Sequence, residues 1–115
     1  MRMEDRMVQH AETSLSLETL RQIVREVCEP RGVARVELFG SQATGQATAD
    51  SDIDLLVEFL PDVHAGLLEM GELRELLTEK LGREVDLVSR RAIEQSSNRY
   101  AKRSILHQRI VLYAR

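Results

Sequence analysis

The chain has 115 residues, 43% apolar and 30% charged, with a net charge of −3. That length supports one core and leaves no room for a second domain. No apolar run approaches the roughly 20 residues that span a bilayer, so a membrane role is not expected. A single cysteine, Cys28, excludes an intrachain disulfide and a cysteine-built metal cluster. It reads as a small apolar residue on a helix face. The first residues lack the apolar core of a signal peptide, so a cytoplasmic location is expected. The charge is uneven: residues 1–89 hold 9 Lys/Arg against 18 Asp/Glu, or −9, and residues 90–115 hold 7 against one, or +6. A basic C-terminal segment suits phosphates, an acidic partner or the chain's own acidic body.

Residues 1–13 show no clean period and read as a flexible extension, with the folded domain expected over 14–115. From Ser16, Leu17, Leu20, Ile23, Val24 and Val27 recur at helical spacing until Pro30 and Gly32 stop the run. Residues 33–39 form a short apolar strand, which runs into Gly40-Ser41 and a polar stretch. Residues 52–59 are a second strand. Its middle is nearly continuous in apolar residues, as expected of a strand covered on both faces. Leu73, Leu76, Leu77 and Leu81 mark an amphipathic helix from about residue 65, and Gly82 is placed to cap it. Residues 84–88 are a third strand, a basic helix is expected around 93–106, and residues 110–113 form a fourth strand. The order of elements predicts an α+β (mixed α/β) fold.

Three carboxylates interrupt these apolar strands: Asp52 and Asp54 on the second, and Asp86 on the third. Asp is depleted in strands, and a buried charge is costly unless it is paired or bound to metal. Spacing of i, i+2 puts Asp52 and Asp54 on one face of a strand. Three short carboxylates are hard oxygen ligands suited to Mg²⁺, with Mn²⁺ also fitting. His10, His64 and His107 are far apart and make no ligand motif. Two metal ions about 4 Å apart can clamp the attacking and leaving oxygens of a displacement at phosphorus. In that scheme Asp52 and Asp54 hold the metals that carry a nucleotide's phosphates. Asp86 completes the catalytic metal's shell and helps deprotonate the attacking hydroxyl. Gly40 lets backbone approach phosphate closely, and Ser41 can donate to a terminal phosphate oxygen. Singly, each residue has an ordinary reading: a Gly-Ser turn, aspartates capping a strand start, or Asp86 paired with Arg83 or the basic helix. Together they favour a site.

Gly40-Ser41, ten intervening residues, then Asp52-Ile53-Asp54 resembles the signature of the DNA polymerase β-like nucleotidyltransferase superfamily. The segments SDIDLLVEF (51–59), LGREVDLVS (81–89) and VLYAR (111–115) are similar to those of the minimal nucleotidyltransferases (MNT) of HEPN/MNT toxin–antitoxin pairs. The resemblance covers residues from about 17 to 115. It implies a small mixed β-sheet with helices packed on it, the polymerase β-like core. It also implies a Mg²⁺ site at Asp52, Asp54 and Asp86, and triphosphate binding at Gly40 and Ser41. The implied reaction transfers AMP from ATP to a tyrosine hydroxyl of a HEPN ribonuclease toxin, held in a hetero-oligomer, and so silences it. The alternative is a non-catalytic antitoxin that neutralises its partner by binding. Two Phe, two Tyr, no Trp and a pI of about 5.6 disfavour a nucleic-acid partner. One departure stands out. Many relatives carry arginines after Gly-Ser, in a pattern like GSRARG, whereas here Gln42 and Thr44 occupy those places. Arg90, Arg91 or the basic helix are the candidate substitutes.

Overall fold

The computed structural model describes residues 16–40, 52–95 and 109–115. Ser16 opens helix α1 (Leu17–Cys28), its hydroxyl accepting the Thr19 N–H at 3.1 Å, one of the donors a helix start leaves unpaired. Leu20, Val24, Val27 and Cys28 make its buried stripe. Burial pushes the Cys28 thiol up to about 12, which makes it a neutral core residue, as expected. A 3₁₀ turn (Glu29–Arg31) leads into β1 (Val33–Phe39). Strand β2 (Ile53–Phe59) pairs antiparallel with β1.

Helix α2 (Leu67–Leu81) follows. It starts two residues later than the apolar period suggests, because Gly66 is the N-cap and its N–H donates to Glu69 Oε1 at 2.8 Å. It ends as expected at Gly82, whose φ of 70° is the left-handed conformation that closes a helix and whose N–H reaches Thr78 O at 2.9 Å. Strand β3 (Val85–Ser89) pairs parallel with β2, so α2 is the crossover a parallel pair requires. A five-residue helix α3 (Arg90–Glu94) comes directly after β3. It begins ahead of the basic helix expected over 93–106, most of which lies outside the described residues. Strand β4 (Ile110–Ala114) pairs antiparallel with β1 and completes a mixed sheet of order β3-β2-β1-β4.

The pleat sorts the strands into two faces. Val36, Leu38, Ile53, Leu55, Val57 and Val85 join Leu20, Val24, Val27, Leu73, Leu77 and Leu81 in one large core. Both long helices therefore cover the same side. The alternate positions look the other way, where Phe39, Leu56 and Ile93 form a small second cluster with Val88 against it. Leu56 is thus covered although it faces away from α1 and α2. This agrees with the expectation that β2 is covered on both faces. Among the described residues no helix is long and apolar enough to cross a membrane.

Candidate active site

Asp54 lies between Ile53 and Leu55, which both point into the helix-covered core. Alternation therefore turns its carboxylate to the opposite face. Its direct partner on β3 is Asp86. Neighbouring strands lie about 4.8 Å apart, so the parallel register sets these two carboxylates side by side. Asp52 precedes β2 by one residue and so is not itself a strand residue. The expectation of charges buried in strands holds only in part: Asp54 is half-buried, while Asp52 and Asp86 are exposed. Among the described residues no long helix packs on the sheet face carrying them.

The Asp54 carboxyl is pushed above its ordinary range, first by burial and then by the negative charges of Asp86 and Asp52. The three groups therefore share one electrostatic site. Hard oxygen donors that repel one another fit a divalent cation, which removes the repulsion. Among the described residues no three such side chains stand ready-made as a metal cage.

Gly40 joins the turn to the carboxylates. Phe39 is the β1 partner of Asp54, and Gly40 follows it with φ of 76°. A Cβ at Gly40 would run into the Asp54 carboxylate, at Oδ2. The close approach expected of Gly40 is thus, in this structure, an approach to Asp54. Ser41, Gln42 and Thr44 lie outside the described residues.

One charged residue of this face went unmarked in the sequence reading. Glu37 sits between Val36 and Leu38 on β1, with its side chain only 5% exposed. Its Oε2 accepts Arg35 Nε at 2.8 Å, and its Oε1 accepts Arg109 Nη1 at 2.8 Å and faces Arg90 Nη1 at 3.5 Å. The signal was available, since Glu37 breaks an apolar strand just as Asp54 does. Arg90, a candidate substitute for the absent arginines, is held by Glu37 and by Glu94, the latter at 3.1 Å. Arg91 is exposed. A cleft of about 450 Å³, lined by Glu58, His64, Ser89, Arg90 and Arg91 among others, opens at the far ends of β2 and β3. Its β2–β3 pair, Val57 and Ser89, is three residues beyond Asp54 and Asp86. The carboxylates therefore lie outside it.

Residues 20–112 match the model of the nucleotidyltransferase domain family. The chain belongs to that family. The nucleotidyltransferase is 34% identical over 97 residues to the protein adenylyltransferase MntA of Thermococcus cleftensis, covering 81% of this chain and 96% of that one. A solved structure assigned as a minimal nucleotidyltransferase is 37% identical with a TM-score of 0.63, covering 84% of this chain and 95% of that chain. A chain from the complex of tri-AMPylated Shewanella oneidensis HEPN toxin with MNT antitoxin shares the fold at a TM-score of 0.62 and 20% identity, over 87% of this chain and 74% of that chain. The four-stranded mixed sheet, with three helices among the described residues, is the minimal nucleotidyltransferase fold, and this chain is an enzyme of nucleotidyl transfer.

Proposed function

We propose that this nucleotidyltransferase moves AMP from ATP to a tyrosine hydroxyl of a HEPN-type toxin and thereby acts as its antitoxin. The observation that carries the reading is the in-register pair Asp54–Asp86, with Asp52 close enough to act on Asp54, on the sheet face that the long helices leave open. Asp52 and Asp54 would hold Mg²⁺ with the nucleotide's phosphates, and Asp86 would complete the set. Bound there, the metal supplies charge neutralisation at the phosphates and lowers the pKa of the acceptor hydroxyl. Asp86, exposed at the edge strand β3, is reachable by an incoming tyrosine and takes its proton. The acceptor oxygen forms a bond to the α-phosphorus, the bond from that phosphorus to the bridging oxygen breaks, and pyrophosphate leaves. Gly40 keeps space for the Asp54 carboxylate, and Ser41 is assigned to the phosphates by position in the sequence. The partner class is supported by the relatives' names and by the shared fold.

Incubation with α-labelled ATP, Mg²⁺ and the product of the neighbouring gene should label that product. No label with any of the four nucleoside triphosphates, under conditions where the two proteins bind each other, would sink the proposal. The absence of arginines at 42 and 44 favours a second reading, in which binding alone neutralises the partner. Full suppression of toxicity by the Asp52→Ala, Asp54→Ala double variant would establish that one instead.

A further inference from the structure

We infer that Arg74 is a positioning residue for Asp86: its guanidinium clamps the two residues before Asp86 and so holds that carboxylate in register with Asp54. The inference rests on the role proposed for Asp86 in the transfer. It deepens that reading by naming the side chain that sets the geometry.

The need for a clamp follows from the topology. In the order β3-β2-β1-β4, β3 is an edge strand whose only neighbour among the described residues is β2. It is five residues long, and Asp86 is the second of them. A short edge strand bonded along one side holds its register less firmly than a central one. A slip of one residue would turn Asp86 to the covered face and away from Asp54. Alignment of the two carboxylates therefore depends on what fixes the start of β3.

Glu84 and Val85 are fixed from both sides. On the inner side the Glu84 carbonyl accepts the Ile53 N–H at 3.0 Å, one residue before Asp54. Successive carbonyls along a strand point to opposite edges, so the Val85 carbonyl points away from β2. There it accepts Arg74 Nε at 3.0 Å. The same guanidinium donates through Nη2 to Glu84 Oε2 at 2.5 Å. Arg74 follows Leu73 on α2, and Leu73 is buried in one core with Val85 and Ile53. The clamp thus ties the start of β3 to the helix that crosses from β2, and Asp86 is the next residue along. Two donors of one planar fork fix an orientation as well as a distance. The Arg74 and Glu84 side chains are 44% and 60% exposed, so their charges add little to stability. The bond to the Val85 carbonyl is the contact that reaches the strand.

The test is transfer of α-labelled AMP to the product of the neighbouring gene, alongside thermal melts. Arg74→Gln should lower kcat about tenfold. KM for ATP should stay near wild type, because Asp52 and Asp54, assigned to the nucleotide's metal, lie off the clamped strand. The melting temperature should change little. Arg74→Lys should recover only part of the loss, since an ammonium restores charge without the fork. The deciding arm is the Asp86→Asn background, where adding Arg74→Gln should cost less than about twofold, as expected of residues that act through one another. A wild-type kcat in Arg74→Gln, or the same tenfold loss in both backgrounds, would overturn the inference.

Amide hydrogen exchange of the full chain supplies a readout that needs neither nucleotide nor partner. Arg74→Gln should speed exchange in β3 and leave β1 protected. Unchanged protection of β3, or equal acceleration in both strands, would also overturn the inference. A chain that labels no partner but shows acceleration confined to β3 keeps the clamp and loses the transferase proposal. A chain that transfers at the wild-type rate without Arg74 keeps the proposal and loses the clamp.

Discussion

The two faces of one sheet divide the work of this molecule. On the covered face Leu55, Val36 and Leu77 are fully buried in a continuous apolar core with α1 and α2. On the other face the same sheet carries Asp54, Asp86 and Glu37, and among the described residues Phe39, Leu56, Val88 and Ile93 are the apolar side chains clustered there. Alternation along β2 puts Leu55 and Asp54 one residue apart and on opposite sides. The covered face is therefore where stability is concentrated, and it can hold like charges on the other face at a tolerable energetic cost. Removing an atom from the core should unfold the protein without altering its chemistry. Removing a carboxylate should do the opposite.

The largest effect on stability is expected on the covered face. Leu77→Ala empties a fully buried position and should cost about 2–5 kcal/mol, read as a fall in denaturation midpoint. Label transfer per folded molecule should stay near wild type, and a matching loss of turnover would break the division between faces.

Gly40→Ala should act on both properties at once. It forces a Cβ into a left-handed conformation and against the Asp54 carboxylate, with a penalty of roughly 1–2 kcal/mol for the backbone alone. Transfer activity should fall as well, since the side chain that must move is Asp54. Unchanged activity would show that the contact with Asp54 has no part in the site.

The smallest effect is expected from Asp54→Asn in metal-free protein. Asp54 has a raised pKa in the folded state, so the native state holds its proton more tightly than the unfolded chain. Its contribution is most favourable below the ordinary carboxylate pKa and is lost as pH rises through the raised value. At neutral pH Asp54→Asn should therefore raise stability, by a few tenths of a kcal/mol once solvent screening is allowed for. Near pH 3 that gain should vanish. Added Mg²⁺ should stabilise wild type more than the variant in thermal melts, and equal responses would count against Asp54 as a ligand.

Much of this arrangement could be read from the chain. Leu20, Val24 and Val27 gave α1, Leu73, Leu77 and Leu81 gave α2, and Gly82 marked its end, because each signal is local. Asp54 stood out because a carboxylate inside an apolar strand violates local propensity. Its pairing with Asp86 depends on β2 and β3 being parallel neighbours in matched register, a tertiary property with no local signal. Glu37 obeyed the same rule as Asp54 and was still passed over, since its meaning lies in partners far along the chain: Arg109 is 72 positions away. Asp52 has the spacing of a strand residue, yet it precedes β2 by one position.

The claim that the open face performs the chemistry is tested most directly by single-turnover transfer of α-labelled AMP to the partner protein, comparing wild type with Asp86→Asn at saturating ATP, Mg²⁺ and partner. Asp86 is exposed and outside the covered core, so the variant should melt like wild type and bind the partner equally well. Transfer should nevertheless fall by about 10²–10³-fold or more. Transfer at the wild-type rate would contradict the account.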